Sequence, residues 1–228
     1  VGNTIMGYAA ADSLTQGDDN VVIGKNALGD ASTTDGIDKN VVIGAHAGDL
    51  WGGEAVEGAV LVGYTAGRNL EDEADNTVAI GTGALTALTS GAGNIAVGYN
   101  ALNDLTTAAG NTAVGYQSLD AYVDGSGQNT AIGYGTLGTL VDGDQNTAIG
   151  YNAMASGTHT SYNFNTVVGA NAGDAFTSVA IEHVTALGAN AIGGALTAAA
   201  NGTVAIGSSA LGALTSGERN LAIGYQAA

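Results

Sequence analysis

The sequence predicts an all-β fold, a parallel β-solenoid in which a short glycine-anchored repeat is stacked coil upon coil over residues 1–228. Three observations carry this. The segments NTAVGYQSL (111–119), NTAIGYGTL (129–137), NTAIGYNAM (146–154) and NLAIGYQAA (220–228) are near copies of one another. Their central glycine recurs thirteen times, at Gly7, Gly24, Gly44, Gly63, Gly81, Gly98, Gly115, Gly133, Gly150, Gly169, Gly188, Gly207 and Gly224, with a period of 17 to 20 residues. A fixed period of that length marks a stacked repeat in which each unit buries its apolar face only against its neighbours. Finally, 38 glycines, two Phe and one Trp in 228 residues supply many thin layers rather than one thick aromatic core.

Each element of the repeat has its own reason. The run from four before the glycine (Asn, a β-branched residue, Ala or Val, Ile or Val, then Gly) reads as a short strand, because β-branched side chains suit a pleated surface. The residue before the glycine is aliphatic in every copy, and the column through Ile132, Ile149 and Ile223 is expected to be a buried ladder. Glycine itself, at positions such as Gly24, Gly44, Gly98, Gly115, Gly133, Gly150 and Gly224, marks a bend or a backbone approach too close for a Cβ. Three residues on, the side chain is always small: Ala in eleven copies, with Ser118 and Thr136 as the exceptions, so something packs closely there. Nine copies carry Asn four before the glycine: Asn3, Asn20, Asn40, Asn94, Asn111, Asn129, Asn146, Asn165 and Asn220. Stacked amides are expected to hydrogen-bond along this column and cap the turn. A second short strand and a polar Gly/Asp/Ser/Thr loop complete the coil.

All 21 acidic residues lie outside the nine-residue window centred on the glycine. Stacked copies of a charged residue would repel across a strand spacing of about 5 Å, so charge is confined to loops, which also absorb the drift in period. Against 21 Asp and Glu stand four Lys and Arg, a formal charge of −17 that disfavours nucleic acid and anionic membrane partners. With no Cys, disulfides, thiolate metal sites and cysteine nucleophiles are excluded. No apolar run is long enough for a membrane span, and no signal-like segment opens the sequence. Val1 and Ala228 both fall within repeats, which predicts a piece of a longer chain.

Few residues invite chemistry. His46, His159 and His183 occupy different registers of the repeat, so no coil gathers two of them for metal or acid–base work. No GxSxG elbow or SxxK pair occurs, and no enzyme is predicted. No cofactor is expected. Carboxylates at Asp18 and Asp19, Glu71 to Asp75, and Asp142 with Asp144 are hard-oxygen candidates for Ca²⁺, but neither EF-hand spacing nor the GGxGxD repeat is present, and solvated loops are the simpler expectation. Seven Tyr follow the glycine directly (Tyr8, Tyr64, Tyr99, Tyr116, Tyr134, Tyr151 and Tyr225), suited either to sugars or to packing between chains. Thr112, Thr130, Thr147, Thr166 and Thr185 align like the hydroxyl arrays of ice-binding solenoids, but the run breaks at Val204 and Leu221.

The segments NTAIGYNAM, NTAVGYQSL and NTVAIGTGAL resemble the head repeats of YadA-like trimeric autotransporter adhesins, and still more the NTAxGYxAL repeats of phage tail fibres. The resemblance runs the length of the chain, with copies around Gly44, Gly63, Gly169 and Gly188 departing from the pattern. It implies a left-handed β-roll with three chains side by side, and a homotrimer formed through the small-residue column is the expectation. The function so implied is the shaft or head of an extracellular fibre on a virion or cell surface, projecting a tip or attaching to a host glycan or protein receptor. A self-polymerising filament of solenoids stacked end to end is the alternative, since an uncapped coil is an open β-edge.

Overall fold

A computed structural model describes residues 2–30, 32–33, 36–53, 56–71, 73–156, 162–174, 176, 180–194, 196 and 200–228. Among these there is no helix, and the chain is a parallel β-solenoid. Its contacts group into two compact units, Val1–Asn111 and Thr112–Ala228, built alike. The first carries three-residue strands at Thr4–Met6, Val21–Ile23, Val41–Ile43, Val60–Val62, Val78–Ile80 and Ile95–Val97. In the second they lie at Thr112–Val114, Thr130–Ile132, Thr147–Ile149, Thr166–Val168, Thr185–Leu187, Val204–Ile206 and Leu221–Ile223.

Within each unit successive strands pair in parallel and in strict repeat register: Val21 with Val41, Thr130 with Thr147, Ile132 with Ile149. The ladder continues past the strand, since the Gly150 N–H donates to the Ile132 carbonyl at 2.8 Å and the Thr130 N–H to the Asn146 carbonyl at 2.8 Å. Two-residue pairs in the loops, Ser32–Thr33 with Gly52–Gly53 and Tyr162–Asn163 with Ile181–Glu182, add small parallel sheets beside the main one.

Among the described residues the expected second strand appears only as these two-residue pairs and does not form in the other coils. The stretch after the glycine is a succession of turns, because alternate residues take left-handed backbone: Asn100 at φ 51° and Leu102 at φ 50° in one coil, Asn152 at 51° and Met154 at 51° in another. Alternating left-handed residues curl the chain instead of extending it. Main-chain bonding between coils survives the curl, as in Asn100 N–H to the Thr82 carbonyl (3.0 Å) and Leu85 N–H to the Ala101 carbonyl (3.1 Å).

The buried ladder is displaced by one residue from its expected column. It is the middle strand residue that is fully enclosed (Val22, Val42, Leu61, Ala79, Ala96, Ala113, Ala131, Ala148, Val167, Ala186, Ala205). Ile132, Ile149 and Ile223 do stack as a ladder, but on the opposite face of the strand, turned outward: Ile132 is 38% and Ile223 66% exposed. The cause is the two-residue alternation of a strand, which sends the flanking residues to one face when the middle one points in.

The core is filled by complementary volumes. Where the middle strand residue is Ala, the residue four after the glycine is large, as with Ala79 and Leu85, Ala96 and Leu102, Ala131 and Leu137, or Ala148 and Met154. Where it is larger, that position is glycine: Val42 with Gly48, Leu61 with Gly67, Val167 with Gly173. A Cβ on Gly67 would sit 2.5 Å from Leu61 Cδ2, on Gly48 3.1 Å from Trp51 Cε2, and on Gly173 3.0 Å from Phe176 Cε2. The atypical copies at Gly44, Gly63 and Gly169 thus keep the layer full by other means, as close packing of interiors requires. Three copies depart from the pattern: Ile5 with Ala11 and Ala222 with Ala228 follow neither rule, and Val22 with Leu28 exceeds it with nothing in the structure to explain it.

Candidate functional site

Seven of the nine asparagines are buried, and Asn3 and Asn220 are partly exposed. Along the column Oδ1 accepts the main-chain N–H at the same position one coil on: Asn3 from Asn20 (2.9 Å), Asn20 from Asn40 (2.9 Å), Asn94 from Asn111 (2.9 Å), Asn129 from Asn146 (2.9 Å) and Asn146 from Asn165 (3.2 Å). Each Nδ2 turns to a loop carbonyl, as with Asn94 to Ala108 (2.8 Å), Asn129 to Gly143 (2.8 Å), Asn146 to Tyr162 (2.6 Å) and, within its own coil, Asn220 to Gly217 (2.7 Å). Asn111 Nδ2 also reaches Asn94 Oδ1 at 3.1 Å. Such a side chain satisfies three main-chain or amide groups that burial would otherwise orphan, and it presents nothing to a ligand.

At the glycines Gly24, Gly44, Gly115, Gly133 and Gly150 a Cβ would land on the carbonyl of the next glycine in the column. Gly98 and Gly224 hold the same backbone, at φ 144° and 130°. The small column is also inside: Ala27, Ala47, Ala66, Ala84, Ala101, Ser118, Thr136, Ala153, Ala172, Ala191 and Ala210 have no exposed surface. It packs within the coil and offers no face to another chain, which removes it as the expected seam of a trimer.

The face that is open is the outer side of the strands. In the first unit it carries Val21, Val41, Val60, Val78 and Ile95 in one file and Ile23, Ile43, Val62, Ile80 and Val97 in the next. In the second, Thr112, Thr130, Thr147, Thr166 and Thr185 run beside Val114, Ile132, Ile149, Val168 and Leu187. No charged side chain interrupts either pair of files. A contiguous outward apolar patch such as that of the first unit marks an interaction surface. Sequence reasoning missed it by one residue, although strict alternation about the invariant small middle residue was the available signal. Beside these files stand the exposed tyrosines that follow the glycines, with Tyr116 stacked on Tyr134 (centroids 5.1 Å, planes 5° apart) and Tyr134 on Tyr151 (5.4 Å, 18°).

The remaining candidates are dispersed. His46 Nδ1 lies 2.7 Å from Asp49 Oδ2, and its ring meets Tyr64 edge-on at 6.0 Å. His183 stacks on Phe164 at 5.0 Å, while His159 lies outside the described residues. Among the loop carboxylates, Asp72 is likewise outside them, and Asp75 Oδ1 accepts the Glu57 N–H at 2.7 Å. Asp18 donates its N–H to Asp38 Oδ1 at 2.6 Å, with Asp19 beside it. Asp144 Oδ1 takes the Gly127 N–H (3.0 Å) and the Tyr122 hydroxyl (3.1 Å). Burial first, then the Asp144 carboxylate and its hydrogen bond, push the Tyr122 phenol well above its usual range, with Asp142 adding to the effect. At the surface, a hydrogen bond to Glu57 raises the Lys39 ammonium from its ordinary value. Among the described residues no three His, Asp or Glu side chains form a metal-ligand group, and no helix is long and apolar enough to cross a membrane.

Comparison with protein-family models, with curated proteins and with solved structures finds no match for this chain.

Proposed function

We propose that this chain forms the shaft or head of an extracellular trimeric fibre, a left-handed β-roll in which three copies lie side by side, with a mechanical and adhesive role rather than a catalytic one. The observation that carries the reading is the outward strand face, unbroken by charge in each unit, with two aliphatic files in the first and an aliphatic file beside a threonine file in the second. A second copy of the same chain is the natural cover, because a repeat that presents Ile and Val at the same point in every coil matches another such repeat at every step. Coil-to-coil hydrogen bonding supplies stiffness, and 17 net negative charges per chain discourage lateral clumping. A virion or a cell surface is the setting this suits, with a host glycan or protein as the attachment target.

Sedimentation of residues 1–228 tests it. The expected result is a trimer of fixed mass at micromolar concentration, reduced to folded monomer by Ile132→Asp with Ile149→Asp on the outer face. A stable monomer, or a mass that grows with concentration as a filament's would, overturns the trimer. So does a trimer indifferent to the two aspartates.

A further inference from the structure

In the second unit Tyr116, Tyr134 and Tyr151 occupy one position in three successive coils, held there by the register that pairs Thr112 with Thr130 and Thr130 with Thr147. Their rings lie nearly parallel at 5.1 and 5.4 Å between centroids. They are also open to solvent, at 44, 49 and 53% exposure. The stack ends because the next two coils carry Ala170 and Ala189 at this place. Elsewhere along the column Tyr64 stands between Ala45 and Thr82, and Tyr225 follows Ser208, so neither has a tyrosine neighbour in its own unit. The chain has no Cys, and its one Trp, Trp51, is enclosed. Exposed tyrosine is therefore a side chain through which this protein can be joined to a like neighbour by one-electron oxidation.

We propose that the Tyr116–Tyr134–Tyr151 stack is a site of oxidative modification, where a one-electron oxidant of the haem peroxidase class, driven by hydrogen peroxide, joins neighbouring tyrosines of one chain as dityrosine. Each phenol gives its hydroxyl hydrogen to the oxidant as one electron and one proton. The two phenoxyl radicals then pair, forming one carbon–carbon bond between ring carbons ortho to oxygen. The hydrogens displaced from those carbons move to the oxygens and restore both phenols. Peroxide takes up the two electrons and two protons and leaves as two waters. Backbone register supplies what the coupling otherwise lacks, since it holds the partners adjacent before either is oxidised, and half-exposed side chains can rotate about χ1 to bring the carbons together. The result is a staple between successive coils. It rests on the geometry within one chain and holds whether or not the chain trimerises.

The experiment treats dilute residues 1–228 with horseradish-type peroxidase and peroxide, then reads dityrosine fluorescence and maps the linked peptides. Cleavage after Asp120, Asp124, Asp142 and Asp144 places the three tyrosines on separate fragments. Expected are Tyr116–Tyr134 and Tyr134–Tyr151 links at the mass of a single chain on a denaturing gel, with yield several-fold above that of the urea-unfolded chain. Tyr134→Phe, which keeps a ring in the stack, should bring the yield down to that unfolded level, while Tyr64→Phe leaves it intact. Equal coupling in native and unfolded chain, links scattered over all tyrosines, links mainly between chains, or full yield in Tyr134→Phe would each overturn the proposal.

Discussion

At the scale of single residues, the glycine column shows how one absent carbon sets a fold. Gly133 has φ 140°, a conformation that L side chains rarely adopt, and a Cβ there would meet the Gly150 carbonyl one coil on. Both causes act against Gly133→Val. The backbone strain alone costs about 1–3 kcal/mol, and the backbone clash has no flexible side chain to relieve it. Glu218→Gln, on an exposed loop, is expected to stay within about 0.5 kcal/mol. Thermal melts of the two variants beside the parent will show a large loss for the first and almost none for the second. Equal melting temperatures would mean that the glycine column has no steric cause.

At the scale of elements, the asparagine ladder explains its own interruptions. Between Asn40 and Asn94 the column passes through Ala59 and Thr77. The Asn40 Oδ1 still serves the Ala59 N–H at 2.7 Å, but Thr77 Oγ1 is buried without a partner. At Thr203 the substitute is weak, with the Asn220 N–H at 3.4 Å. A threonine is one atom too short to span the coil spacing that asparagine bridges at 2.9 Å. Thr77→Asn is therefore expected to stabilise the first unit by about 1 kcal/mol, the net worth of a satisfied hydrogen bond, with a higher denaturant midpoint as the readout. A lower midpoint would show that the layer has no room for the amide.

At the scale of the molecule, the repeat is modular because every coil makes the same bonds to the next. Removing residues 134–150 joins Gly133 to Tyr151 and leaves the register intact, so the shortened chain is expected to fold with unchanged β-sheet circular dichroism per residue and a cooperative melt. Global unfolding would argue that the coils are not independent units. The same repetition decided what could be read beforehand. Period, parallel solenoid, glycine bend and loop-confined charge follow from the sequence alone, because stacking identical residues is a one-dimensional constraint that every copy records. What only the tertiary structure decided is which side of each strand faces in. Ala131 and Ile132 are both apolar, and composition cannot rank them. The small interior settles it, since a coil with Leu137 and Leu140 already inside has space for a methyl group but not for an isoleucine as well, and Ile132 is sent outward to form the face on which the proposed assembly depends.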